Sequence, residues 1–272
     1  AGGSISKDFA PHAVKAGAVV IDNSSAFRMD PEVPLVVPEV NPQAILKHKG
    51  IIANPNCSTI IMVMALKPIY DLAKIKRVIV STYQAVSGAG KEGIDELDAQ
   101  VREHSEGREM TANILPSASA EKHYPIAFNL IPQIDVFCDN LYTKEEMKMV
   151  NETKKIMEDY EMRITATTIR VPVYRSHSES VNIELEKEVD LGAMREALAK
   201  FPGVTVQDDP SKQEYPMPLY TSEKDDVYVG RLRRDESCEK SYNMWVVGDQ
   251  IRKGAALNTL QIAETMIKNG WI

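Results

Sequence analysis

The stretch Gly50-Ile51-Ile52-Ala53-Asn54-Pro55-Asn56-Cys57-Ser58-Thr59, continued by the apolar run from Ile60 to Leu66, constrains this chain more than any other. Ile51 to Ala53 predicts a short buried strand, and Asn54-Pro55-Asn56 predicts a turn. Asn56 is of the type that caps a helix, so a long apolar helix is expected to begin at Cys57. A cysteine in the first turn of a helix, just past a strand, meets unpaired backbone N–H groups and the positive end of the helix dipole. Both favour a thiolate over a thiol. The competing reading is a small core cysteine.

The elements around this segment alternate as in an open α/β sheet. A Gly-rich loop, Ala1 to Ser4, precedes a short helix from Phe9 to Lys15. Ala18 to Asp22 is continuously apolar up to its last residue, as in a parallel strand. Asn23-Ser24-Ser25-Ala26-Phe27-Arg28 follows at its carboxyl end, where such sheets place ligands. Pro31 to Pro42 leaves little room for regular structure. After Lys74 the pattern changes. Strands are expected over 77–83, 163–173, 180–186, 204–207, 227–233 and 244–248, and helices over 91–103, 143–159 and 191–201. The segment 110–132 is long and irregular, and loops of that length are usually functional or interface-forming. Gly254 to Asn269 closes the chain as an amphipathic helix. The expected class is α/β with an α+β second domain. Residues 1–56 plus 257–272 form a partial nucleotide-binding domain, and residues 57–256 a second domain with a mixed or antiparallel sheet.

Composition narrows the function. The net charge of −7 argues against nucleic acid as the main partner. The three cysteines, Cys57, Cys138 and Cys238, are widely separated and odd in number. They make no disulfide framework, and no Cys/His cluster has metal-ligand spacing, so a reducing cytoplasm is expected and no metal. No apolar run is long enough to span a membrane.

A nucleophilic cysteine needs a base, and His177 is the best of the five histidines. It lies in Arg170-Val171-Pro172-Val173-Tyr174-Arg175-Ser176-His177, between two expected strands and among small polar residues. A structural histidine is as good a reading. Ile164, Ala166, Thr168 and Arg170 share one face of a strand by the two-residue period. An arginine ending an apolar face needs an anion, either a protein carboxylate or a ligand. Glu145 and Lys148 are three apart on one helix and therefore neighbours, by default a surface pair. Arg28, at a strand's carboxyl end, is placed to hold a phosphate or to stand as a surface charge. Gln84-Ala85-Val86-Ser87-Gly88-Ala89-Gly90 is a small-residue loop at a strand end, where backbone can approach a cofactor. No G-x-G-x-x-G fingerprint occurs.

Together, Asn54-Pro55-Asn56-Cys57-Ser58-Thr59, Thr82-Tyr83-Gln84-Ala85-Val86-Ser87-Gly88-Ala89-Gly90 and Arg170 through His177-Ser178-Glu179-Ser180 resemble aspartate-semialdehyde dehydrogenase of the bacterial kind. His123-Tyr124-Pro125-Ile126-Ala127-Phe128-Asn129 and Gly254-Ala255-Ala256 add to the resemblance, which runs the length of the chain in order. It implies a Rossmann-like NADP domain and a catalytic and dimerisation domain. It implies NADP- and phosphate-dependent interconversion of L-aspartate 4-semialdehyde and 4-phospho-L-aspartate, on the route to lysine, threonine and methionine. Cys57 would carry the acyl-thioester and His177 would be the acid/base. Asn56 and Gln84 would orient the substrate and thioester carbonyl. Arg170 would take the substrate carboxylate and Glu145 its ammonium. Arg28 and Lys148 would hold phosphate, and Ser87, Gly88 and Gln250 would lie against NADP. A homodimer or tetramer is implied, with the 91–103 helix and the 110–132 loop as candidate interface.

The family begins with a strand, a Gly-rich turn and a helix that cradle the NADP phosphates. This chain starts downstream of them, so it is expected to lack that N-terminal portion and to bind NADP poorly. Rival readings are a related thioester-forming enzyme, either N-acetyl-glutamyl-phosphate reductase or glyceraldehyde-3-phosphate dehydrogenase, and a non-catalytic dimerisation module. Arg170 with Glu145 complements an amino-acid zwitterion, which disfavours both rival enzymes.

Overall fold

The computed structural model describes residues 2–272. Helix α1 (Gly3–Lys15) leads into strand β1 (Val20–Asp22), which runs parallel to β2 (Ile51–Ala53) with Asp22 opposite Ala53. The proline-rich chain between them is irregular apart from a 3-10 turn at Pro42–Lys47. Helix α2 (Cys57–Leu72) starts directly after the Asn54-Pro55-Asn56 turn. Its N-cap is Asn56, whose Oδ1 accepts from the Thr59 N–H at 3.1 Å. Ile60 to Leu66 are all fully buried. A helix that is apolar all round has to be enclosed on every side. Here it lies between the main sheet and Val33, Leu35, Val37 and Val40 of the proline-rich segment.

The main sheet comprises β3 (Ile75–Gln84), β4 (Arg163–Arg170), β5 (His177–Leu185), β6 (Val204–Val206), β7 (Val227–Arg234) and β8 (Ser241–Gly248). Its order is β4-β3-β5-β8-β7-β6, with β3/β4 and β6/β7 parallel and the other pairs antiparallel. The mixed sheet is as expected. Gln84 pairs with Arg170 in the register of β3 and β4, and His177 with Gly248 in that of β5 and β8. One end of the sheet therefore gathers Gln84, Arg170 and His177.

Helix α3 (Lys91–Ser105) packs against the 110–132 loop through Leu97, Leu115, Ile126 and Ile131. Buried Gln100 braces that loop by accepting from the Ile126 and Ala127 N–H groups and donating to the Thr111 carbonyl. Helix α4 (Lys144–Ile156) opens with a full capping box between Thr143 and Glu146. Helix α5 (Leu191–Lys200) joins the α2 core through Met194 and Leu198. A four-residue turn, α6 (Pro218–Thr221), precedes β7. Helix α7 (Leu257–Lys268) returns to the first two strands, burying Ile262 and Met266 with Ile52. No helix among the described residues is long and apolar enough to cross a membrane.

Several boundaries depart from the sequence expectation. Ala1 lies outside the described residues, but α1 already begins at Gly3, where a loop is expected. The extra turn is anchored from a distance, since Ser6 Oγ donates to Asp22 Oδ1 at 2.7 Å. His177 is the first residue of β5 and not part of a connection, because β8 extends far enough to pair with it. Strand β4 stops at Arg170, short of the expected Val173. The final helix begins as a π-helical turn at Arg252–Ala256. That widened turn brings Gly254 so close to the nucleophile's helix that a Cβ there would stand 3.0 Å from Cys57 Cβ.

Candidate active site

A cleft of about 410 Å³ opens where the N-terminus of α2, the ends of β3 and β4, helix α4 and the π turn meet. Among its lining residues are Asn56, Cys57, Gln84, Glu145, Lys148 and Arg170, with Arg28, Ser87, Gly88 and Gln250. Of the eleven sequence candidates only His177 is missing from that surface. It lies immediately behind, with its Nε2 3.4 Å from where a Cβ on Gly88 would stand. Two further clefts, of about 270 and 440 Å³, lie along the proline-rich segment and contain neither a cysteine nor a histidine.

Asn56 does three things. Its Oδ1 caps α2, its Nδ2 donates to Glu145 Oε1 at 2.8 Å, and its N–H donates to Glu152 Oε2 at 2.6 Å. Gln84 Nε2 donates to the same Glu145 oxygen at 3.2 Å, while the Thr82 hydroxyl donates to Gln84 Oε1 at 3.1 Å. Lys148 Nζ bridges Glu145 at 3.1 Å and Asp135 at 3.0 Å. Glu145 is thus a buried, multiply bonded carboxylate, where a surface ion pair is the default reading of its spacing. Burial pushes its carboxyl up, but Lys148 and the amides of Asn56 and Gln84 outweigh that and hold it below its ordinary value.

Arg170 is buried, and no carboxylate among the described residues lies within ion-pair distance of it. Its Nη1 donates to the Ala85 carbonyl at 2.7 Å, and its Nε has no partner. Of the two anions open to it on sequence grounds, the protein carboxylate is therefore absent. A buried guanidinium without a counter-charge is a costly arrangement that a bound anion would relieve. Gly88 makes room for it, because a Cβ there would stand 2.7 Å from Arg170 Nη1.

Arg28 lies beside Glu152 at 3.3 Å, donates to the Asn23 carbonyl at 3.1 Å, and leaves its buried Nε unpaired. Glu152 is a site residue that the sequence reading did not include. Glu145, Lys148 and Glu152 stand at i, i+3 and i+7 on α4, so helical periodicity would have put all three on one face. Asp135, in the irregular chain, carries no such signal. Ser87 and Gln250 are bonded to each other, Gln250 Nε2 donating to Ser87 Oγ, and Gln250 Oε1 accepts from the Ser176 N–H at 2.9 Å.

The expected thiolate at Cys57 needs correcting. Burial, and then the charge of Glu145, push the thiol up to about 12, against the opposing pull of Arg28, the helix-mouth N–H and Arg170. The helix start acts in the expected direction but is outweighed, because the same fold that builds the helix mouth also desolvates it. Neutralising Glu145 should therefore activate the cysteine. Glu145→Gln is expected to speed carbamidomethylation of Cys57 by iodoacetamide at neutral pH by roughly tenfold, one pKa unit of thiolate fraction. Mass spectrometry of the Cys57 peptide measures this, with exposed Cys238 as internal standard. An unchanged rate would remove Glu145 from the control of the thiol.

Comparison with known proteins identifies the family. Residues 66–253 match a family model described as semialdehyde dehydrogenase, dimerisation domain, and residues 1–48 match semialdehyde dehydrogenase, NAD binding domain. The chain is 57% identical over its whole length to aspartate-semialdehyde dehydrogenase of Aquifex aeolicus, covering 79% of that protein. Against the Bacillus subtilis enzyme of the same name, identity is 54% over 98% of the chain and 78% of that protein. The crystal structure of aspartate semialdehyde dehydrogenase II from Vibrio cholerae complexed with ASA superposes with a TM-score of 0.93 at 48% identity, covering 98% of this chain and 78% of that one.

Proposed function

The chain belongs to the aspartate-semialdehyde dehydrogenase family and is an oxidoreductase of that kind, and on that footing we propose that it interconverts L-aspartate 4-semialdehyde and 4-phospho-L-aspartate through a thioester on Cys57. The observation that carries this reading is Arg170, buried and without a carboxylate, in the same cleft as the carboxylate of Glu145 and the sulfur of Cys57. An α-amino acid with an aldehyde side chain offers one carboxylate, one ammonium and one electrophilic carbon, and these are the three complements that the cleft provides.

Arg170 takes the substrate carboxylate. Glu145 takes the ammonium, which offsets the negative charge that, after burial, holds the Cys57 thiol up, so binding of the correct substrate shifts the balance toward the thiolate. Asn56 and Gln84, both bonded to Glu145, fix the position of that carboxylate and of the aldehyde oxygen. Cys57 adds to the aldehyde carbon and holds the acyl group after oxidation. Phosphate is held by Arg28 and Lys148, both of which line the cleft. Their charges offset those of the incoming dianion.

One end of the cleft is lined by Ser87, Gly88 and Gln250, uncharged and tightly packed, which suits a flat nicotinamide amide. Bound there, NADP supplies the hydride acceptor. In this reading residues 1–56 plus 257–272 form the partial NADP-binding part and residues 57–256, with Ser87, Gly88 and Gln250, the catalytic and dimerisation part. A homodimer or tetramer in the cytoplasm, serving lysine, threonine and methionine synthesis, completes the reading.

The test is phosphate-dependent formation of NADPH by the full-length protein with three aldehydes: aspartate 4-semialdehyde, N-acetylglutamate 5-semialdehyde and glyceraldehyde 3-phosphate. The expected result is turnover with the first alone, at least ~100-fold above the others in kcat/KM. A preference of that size matches the loss of one buried ion pair, about 3 kcal/mol. Equal turnover of the N-acetyl compound would overturn the role of Glu145.

A further inference from the structure

The π turn at Arg252–Ala256 contains a buried ion pair that the reaction, as read above, leaves unused. Lys253 is 1% exposed, and its Nζ donates to Glu39 Oε2 at 2.6 Å, to Asn258 Oδ1 at 3.1 Å and to Gln261 Oε1 at 2.6 Å. An ammonium has three hydrogens to give, and all three are placed. Glu39 belongs to the proline-rich segment, between Val37 and Val40, which pack in the same core as α2. Asn258 and Gln261 belong to α7. One side chain thus ties the π turn to the segment that encloses α2 and to the closing helix.

A π turn is rare, and this one is braced at its entry and in its middle. Its own backbone bonds run from the Gly254 N–H to the Asp249 carbonyl at 3.2 Å and from the Ala256 N–H to the Ile251 carbonyl at 3.0 Å. Asp249 holds the entry, because its Oδ1 accepts from the Ile251 and Arg252 N–H groups at 2.9 and 3.1 Å. Lys253 holds the middle. The turn delivers Gly254, whose lack of a side chain lets the backbone close on the nucleophile. A Cβ there would stand 3.0 Å from Cys57 Cβ and 3.3 Å from Cys57 Cα.

The same ammonium reaches the nucleophile from a second direction. It can only donate, so the Asn258 oxygen faces it. Asn258 Nδ2 then donates to the Val36 carbonyl at 3.0 Å and to Asn54 Oδ1 at 2.7 Å, and Asn54 Nδ2 donates to Asn23 Oδ1 at 2.7 Å. Asn54 is fully buried and opens the turn that ends in Asn56, the N-cap of α2. The π turn and the Asn54-Pro55-Asn56 turn both abut Cys57. Lys253 belongs to the first and is bonded, through Asn258, to the second.

We propose that Lys253, paired with Glu39, is a positioning residue for the nucleophile: it locks the π turn so that Gly254 sets the direction of the Cys57 side chain. The proposal rests on the reading of Cys57 as the thioester-forming nucleophile. A buried ion pair adds little stability over apolar side chains of similar volume, so its contribution is sought in the geometry it imposes. Misplacing a reacting atom by about 1 Å costs roughly 100-fold in rate, and a turn that drifts by a fraction of that is expected to cost about tenfold.

The test is the double variant K253M/E39Q of the full-length protein, which removes both charges together and leaves neither buried alone. Alkylation of Cys57 by iodoacetamide at neutral pH, read by mass spectrometry against exposed Cys238, is expected to be at least ~fivefold faster, because a loosened turn lets water reach a thiol that burial protects. The expected loss in kcat is about tenfold, with the aldehyde KM within about twofold of wild type. Arg170 and Glu145, which hold the substrate, stand on β4 and α4 and keep their places. The control is R195M/D208N, which removes an ion pair whose members do not line the cleft. It is expected to leave Cys57 labelling unchanged whatever it does to stability. Unchanged labelling and kcat in K253M/E39Q, or an equal rise in labelling in the control, would overturn the proposal. Should K253M/E39Q fail to fold, Gly254→Ala keeps the ion pair and presses on Cys57 directly. Its added Cβ is expected to slow Cys57 labelling about threefold and to lower kcat about tenfold, and wild-type values of both would equally overturn the proposal. Labelling needs no turnover, so an inactive wild-type protein would count against the thioester reading and leave the role of Lys253 to be decided by the labelling rates.

Discussion

Cys57→Ser is expected to lower phosphate-dependent NADPH formation by about 10⁴-fold or more, with the unfolding midpoint of the protein unchanged. The size follows from what a nucleophile does: without it the acyl group has no covalent anchor, and the whole advantage of two easier steps is lost. Serine has nearly the volume of cysteine, so the packing against Gly254 survives, but its hydroxyl is far harder to ionise than a thiol. No other cysteine can take over, because neither Cys138 nor Cys238 lines the cleft. The measurement is the initial rate with aspartate 4-semialdehyde, paired with thermal unfolding. A residual rate above about a hundredth of wild type would move the nucleophile elsewhere.

Arg170→Met is expected to separate activity from stability. Removing the cation that we assign to the substrate carboxylate should cost about 3–5 kcal/mol of substrate binding, a fall of 10²–10⁴-fold in kcat/KM for the aldehyde. The fold should not suffer. Replacing a buried charge that has no counter-ion by an apolar side chain of similar reach is often neutral or stabilising. The Ala85 carbonyl also keeps a second donor, the Gly88 N–H at 3.1 Å. Denaturant unfolding with the same variant decides the point. A loss of several kcal/mol in stability, with kcat/KM little changed, would make Arg170 a structural residue and remove the principal support for an amino-acid substrate.

Much of the local structure is legible in the sequence because it rests on short-range physics. The Asn54-Pro55-Asn56 turn, the cap at Asn56, the capping residue Thr143 and the alternation that buries Ala166, Thr168 and Arg170 all follow from neighbours within a few positions. The boundaries that shifted are those set by distant partners. Ser6 is tied to Asp22, His177 is drawn into a strand by Gly248, and the closing helix is widened where Gly254 meets Cys57. Glu152 was readable from its helical spacing to Glu145, whereas Asp135, in irregular chain, carries no period to read.

The residue types at the site, the strand–turn–helix seat of Cys57, the α/β class and the family were all determined by sequence alone, since each is a matter of order and spacing along one chain. The protonation and pairing of those residues were decided only by the tertiary structure. The thiol is pushed up to about 12, burial and the charge of Arg170 hold the His177 imidazole well below its usual range, and Arg170 has no carboxylate partner among the described residues. The physical reason is that a proton's affinity depends on the water removed and the charges brought near. Folding does both by joining α2, β3, β4, β5 and α4, which are far apart in the chain, around one cleft.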